Sequence, residues 1–96
     1  MADVYKALAD ATRRALLDEL QDRDNQTLFE LCGRLASRHG ISPSRQAITQ
    51  HLDVLCETGL VRRRRQGRCV FHSFDPQPLQ EVVNRWRLRA REDGTT

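Results

Sequence analysis

Apolar side chains recur along the first 57 residues at spacings of three and four, the period of a helix with one buried face. Val4 and Leu8 share such a face, predicting a short helix over residues 4–9. Asp10 is a good cap for a second helix over residues 12–20, whose inner face carries Leu16, Leu17 and Leu20. The run QDRDNQ, residues 21–26, reads as a polar loop. Thr27 then caps a third helix, to residue 37, with Leu28, Leu31, Leu35 and Cys32 inward. HGISP, residues 39–43, breaks the pattern: Gly40 suits a helix end, and Ser42 followed by Pro43 suits a helix start. A fourth helix over residues 43–57 follows, with the stripe Ile48, Leu52 and Leu55, Ala47 beside it, and Gly59 closing it.

The period then changes from helical to alternating. Two strands, residues 60–64 and 69–74, flank Gln66-Gly67 near a turn. Asp75-Pro76 starts a last helix bearing Leu79, Val82, Val83, Trp86 and Ala90. The predicted order is ααααββα, a mainly α (α+β) chain in which residues 1–96 form one domain. A helix pair joined by a short break, the second helix polar on its outer side, is the helix-turn-helix pattern. A basic hairpin directly after it makes the pattern a winged helix-turn-helix.

Charge sharpens this picture. The chain is 39% apolar and 30% charged, with a net charge of only +3. Residues 1–57 hold seven basic and nine acidic side chains, whereas residues 58–91 hold nine basic and two acidic ones. A basic segment on a nearly neutral body points to a polyanion. Four consecutive arginines, Arg62, Arg63, Arg64 and Arg65, lead into Arg68 on the predicted hairpin. Arginine grips phosphate and guanine with a planar fork, as lysine cannot. On the fourth helix, an inward Ile48, Leu52 and Leu55 leaves Ser44, Arg45, Gln46, Thr49 and Gln50 outside. Arginine pairs with guanine, glutamine with adenine, and serine or threonine with either bases or phosphates. Double-stranded DNA is the partner these side chains fit. The hairpin tip, residues 64–68, is the part able to enter a minor groove.

The blocks VYKALADATRRALLDEL, LFELCGRLA and SRQAITQHLDVLCETGLVRRRRQGRCVFHSF resemble the ArsR-type (ArsR/SmtB) winged-helix transcriptional regulators across residues 3–91. The most specific part is AITQHLDVLCETGLVRRRRQGR, a recognition helix running into a basic wing. The resemblance implies a homodimeric repressor that sits on a (pseudo)palindromic operator and leaves when a signal arrives. It places Ser44, Arg45, Gln46, Thr49 and Gln50 in the major groove and Arg62, Arg63, Arg64, Arg65 and Arg68 in the wing. It also implies a dimer interface from the first and last helices, here Val4, Tyr5 and Leu8 with Leu79, Val82, Val83 and Trp86.

The departures from the family carry information too. Metal-sensing members carry two cysteines one residue apart in the third helix. Here Cys32 is followed by Gly33 and Arg34, and a cation at 34 opposes metal binding. The alternative sensing site needs histidine on the last helix, and residues 76–91 contain none. Cys32, Cys56 and Cys69 lie on three separate elements, so neither a metal nor another cofactor is expected, and the effector stays open. Two competing readings remain: a winged helix used for protein contact, and a repressor that senses oxidants through a thiol. Cys69, beside Arg68, is the best thiol candidate, and arginines near Cys56 and Cys69 would lower their pKa. No nucleophile–base pair or glycine-rich phosphate loop suggests an enzyme. MADVYKALAD is too polar for a secretion signal, and no run approaches the roughly 20 apolar residues of a membrane span. A cytoplasmic protein without a membrane partner is expected.

Overall fold

The computed structural model describes residues 3–86. Its elements are α1 (Val4–Leu8), α2 (Ala11–Asp22), α3 (Leu28–His39), α4 (Arg45–Glu57), the strands β1 (Val61–Gln66) and β2 (Cys69–Phe74), and α5 (Gln77–Arg85). The expected order ααααββα is the observed one.

Local chemistry fixes most of the boundaries. Asp10 accepts from the Arg13 amide at the start of α2. Thr27 and Glu30 cap α3 reciprocally: the Thr27 hydroxyl accepts from the Glu30 amide while the Glu30 carboxylate accepts from the Thr27 amide. Gly40 ends α3 in the left-handed region at φ 65°, where a side chain would be strained. Two expectations need correction. α2 runs through Gln21 and Asp22, and Gln26 is fully buried, so the exposed polar loop expected over residues 21–26 is confined to residues 23–25. α4 begins at Arg45, not Pro43, because Ser44 is the cap that accepts from the Ala47 amide. Ser42 and Pro43 precede the cap, outside the helix.

α1 has only five residues, too few to stand alone. Its last carbonyls are bound by α2: Arg13 donates to Ala7 and Lys6, and Arg14 donates to Leu8. The paired arginines of ADATRRALL thus staple the first helix to the second. The core comprises Leu16 and Leu20 of α2, Leu31 and Leu35 of α3, and Ile48, Leu52 and Leu55 of α4, with Ala7, Leu60 and Val61 sealing it. These are the stripes predicted for α2, α3 and α4. Leu28 and Cys32 are only half-buried at its edge.

The hairpin pairs antiparallel from Val61 opposite Phe74 to Gln66 opposite Cys69. Gly67 at φ 63° and Arg68 form the two-residue turn, one residue later than the sequence suggested. An isolated bridge joins Gln26 to His72, with backbone hydrogen bonds in both directions at 3.1 and 2.8 Å. It fastens the base of the hairpin to the α2–α3 connection. At α5, Asp75 accepts from the Gln77 amide at 2.9 Å. The helix buries no residue fully, and Val83 and Trp86 remain exposed. Trp86 is the residue that caps α5 rather than part of the helix, and Ala90 lies outside the described residues.

Candidate nucleic-acid interface

α4 is held by its apolar stripe, so its opposite side is fixed outward. Arg45, Gln46 and Gln50 are exposed there, and Thr49 is half-buried with its hydroxyl donating to the Arg45 carbonyl at 2.9 Å. Ser44 is exposed, but its hydroxyl already serves as the helix cap. No side chain of Arg45 is matched with a carboxylate among the described residues. Its guanidinium instead lies over the exposed Phe29 ring, 5.8 Å from the centroid. His51, on the flank of α4, is half-buried and within 3.1 Å of Arg13.

The hairpin stands beside this helix, and its five arginines are not equivalent. Arg62 at the base is paired with Asp75 at 2.9 Å. The hydrogen bond from the Gln77 amide and the adjacent Arg62 hold the Asp75 carboxyl below the usual carboxylate range. Arg63 is paired with Asp53 of α4 at 2.7 Å, which ties the wing to the helix. It also donates from Nε to His72 Nε2 at 3.4 Å. His72 is buried, with Nδ1 2.9 Å from the Gln26 carbonyl. Its surroundings fit a neutral ring, protonated on Nδ1 and accepting on Nε2. Burial, with Arg63 nearby, keeps the imidazole pKa below its ordinary value, against the Gln26 hydrogen bond. Farther out, Arg64 lies over Phe71 at 5.4 Å and donates to Gln66. Arg65 and Arg68 have no acidic partner among the described residues. Positive charge is therefore compensated at the base of the hairpin and left uncompensated at its tip.

Asp53 and His72 were not singled out by the sequence as parts of this surface. A lone carboxylate on an otherwise donor-rich helix face was the available signal for Asp53. His72 had none, because its partner Gln26 lies 46 residues away.

The terminal helices meet on another side of the molecule. Tyr5 and Trp86 contact edge to face with ring centroids 6.0 Å apart, and Tyr5, Val83 and Trp86 are all exposed. Leu79 packs at the edge of the core and lines a cleft with Leu8, Leu17 and Phe74, while Val4 and Val82 are half-buried.

All three cysteines carry free thiols. Burial raises the pKa of Cys32 despite Arg45, and of Cys56 despite Arg63. For Cys56 this reverses the expectation that neighbouring arginines would make a reactive thiolate; desolvation of the charged form outweighs them. Cys69 is exposed. Arg34, at the position of the second metal-binding cysteine in the resembling regulators, instead pairs with Glu19 at 3.0 Å and Asp22 at 3.1 Å. Among the described residues, no three His, Cys, Asp or Glu side chains gather into a metal-holding group. Among the described residues, no helix is long and apolar enough to cross a membrane.

No family model matches the chain. Individual proteins do. The chain is 43% identical over 83 residues to the uncharacterized HTH-type transcriptional regulator YuzN of Bacillus subtilis (strain 168), covering 86% of this chain and 90% of that protein. It is 32% identical over 94 residues to the transcriptional repressor SdpR of the same organism, covering 98% and 96%. Among solved structures, the ArsR-like transcriptional regulator from Rhodococcus sp. RHA1 superposes with a TM-score of 0.73 at 33% identity, over 85% of this chain and 69% of that one. A possible transcriptional regulator for arsenical resistance superposes with a TM-score of 0.69 at 33% identity, over 88% and 83%. Helix order, basic wing and these relatives agree: the chain belongs to the ArsR family of winged helix-turn-helix transcriptional regulators.

Proposed function

We propose that the protein is a repressor that binds a (pseudo)palindromic operator in double-stranded DNA as a homodimer, with residues 1–96 acting as one DNA-binding domain. The observation that carries this reading is a single surface joining donor-rich α4 to a wing whose tip charge is uncompensated. Arg45, Gln46, Thr49 and Gln50 meet base edges in the major groove, with Ser44 beside them at the helix start. Arg64, Arg65 and Arg68 take the phosphates or the minor groove, while Arg62 and Arg63 hold the wing in place through Asp75 and Asp53. A second copy covers Val4, Tyr5, Leu8, Leu79, Val82, Val83 and Trp86; the exposure of Tyr5, Val83 and Trp86 supports this. Repression is supported by the likeness to a transcriptional repressor at 32% identity. The role in this reading is binding rather than catalysis, exercised in the cytoplasm.

Selection of bound DNA from a random pool, followed by a salt titration on the winning site, tests the reading. The expected result is two half-sites about one helical turn apart, or a multiple of that. Affinity should fall with a log–log salt slope of about −0.9 per phosphate contacted. A winner without twofold symmetry, or binding indifferent to salt, overturns the proposal. Salt indifference would favour a protein-contact role for the winged helix.

A further inference from the structure

We propose that Phe29 is a positioning residue for sequence recognition: its ring holds the Arg45 guanidinium in the orientation that reads a guanine. This rests on the reading of α4 as the base-contacting helix.

Four large apolar side chains are exposed among the described residues: Tyr5, Phe29, Val83 and Trp86. Tyr5 and Trp86 touch each other, and Val83 lies on the same helix as the chain leading to Trp86. Phe29 is apart from them, on the first turn of α3, and is 72% exposed. The core therefore does not explain it. Its neighbours are those of the proposed interface. The Arg45 guanidinium lies over the ring at 5.8 Å. The ring also lines a cleft of about 460 Å³ with Thr49 of α4 and Arg68 of the wing tip.

The chemistry separates Arg45 from the two arginines at the wing base. Arg62 and Arg63 are restrained by carboxylates, so their N–H donors are partly consumed. A ring restrains a guanidinium through its face and leaves the N–H edge free. Two parallel donors on that edge are what guanine O6 and N7 require. An unrestrained arginine would lose more side-chain freedom on reaching the base. Phe29 thus lowers the ordering cost of a contact it does not itself make.

The experiment uses the full chain and the operator selected from the random pool. Single-base variants of that operator are bound by wild type, Arg45→Ala, Phe29→Leu, Phe29→Trp and the double variant Phe29→Leu/Arg45→Ala. Phe29→Leu should reduce discrimination roughly two- to fivefold at the one base pair that Arg45→Ala also relaxes. Its melting temperature and salt slope should match wild type. Phe29→Trp should retain discrimination, and Phe29→Leu should add nothing in the Arg45→Ala background. Unchanged discrimination in Phe29→Leu, where Arg45→Ala has lost it, overturns this inference alone. So does a loss spread evenly over all base pairs. If Arg45→Ala itself leaves every base preference intact, the reading of α4 fails and this inference falls with it.

Discussion

Glu19 is 2% exposed in α2 and lies against three basic side chains of α3: Arg34 at 3.0 Å, Arg38 at 3.1 Å and His39 at 2.7 Å. A buried carboxylate is tolerated only when its charge is matched. Glu19→Ala keeps good helix propensity but removes the buried carboxylate these partners share, leaving Arg34 and Arg38 only Asp22. Because Arg38 is half exposed, the loss should be about 2–3 kcal/mol rather than the larger cost of a fully buried pair. A thermal melt followed by circular dichroism should fall by roughly 10–20 °C. His72 gives a pH signature. Its folded pKa lies below the ordinary 6.5, so between those values the unfolded chain binds the extra proton and the folded one does not. Stability from this group is therefore present above about pH 6.5 and is lost as pH falls from there through the lower folded value. The urea midpoint should drop between pH 7.5 and 5.5; a flat profile would contradict the assignment of a neutral, buried ring. At this scale the caps Asp10, Thr27 and Gly40 were legible, because each acts on its own few neighbours. Glu19, Gln26, Asp53 and His72 were not. Their partners lie elsewhere along the chain, and by residue type alone each looks like a solvent-facing side chain.

At the scale of elements, the Asp53–Arg63 ion pair links α4 to the wing. The amphipathic stripes made both elements legible, but the start of α4 was misplaced by two residues. Two serines there both precede plausible first turns, and only the bond from the Ala47 amide selects Ser44. The four arginines in a row gave no hint that two are internally paired. The proposed division of labour has a measurable consequence. Arg65→Ala and Arg68→Ala should each weaken binding to all DNA sequences alike and reduce the salt slope by about one. Arg62→Ala should change the slope less, because its charge is already matched by Asp75. Equal slope changes in all three variants would count against graded compensation along the wing.

At the scale of the molecule, α5 is an amphipathic helix with no fully buried residue, which supports the proposed second copy. The spacing of Leu79, Val82, Val83 and Trp86 was legible as an apolar face, but spacing alone could not divide that face between core and partner. In the fold, the half-buried Leu79 packs at the edge of the core, while Val83 and Trp86 are exposed. Val83→Glu together with Trp86→Ala should convert a dimer to a monomer in sedimentation velocity. Affinity for a symmetric two-half-site duplex should fall well over tenfold, while a single half-site is bound nearly as before. An unaltered sedimentation profile would place the partner-binding surface elsewhere.

The bridge to His72 sets Gln26 beside the two-stranded wing as a single-residue third rung. Deuterium should therefore replace the amide hydrogens of Gln26 and His72 much later than those around Gly67, so that the flap is stiff where it leaves the body and pliant only at its end. Such a hinge-free root would let the tip adapt to groove width while the reading helix keeps its register.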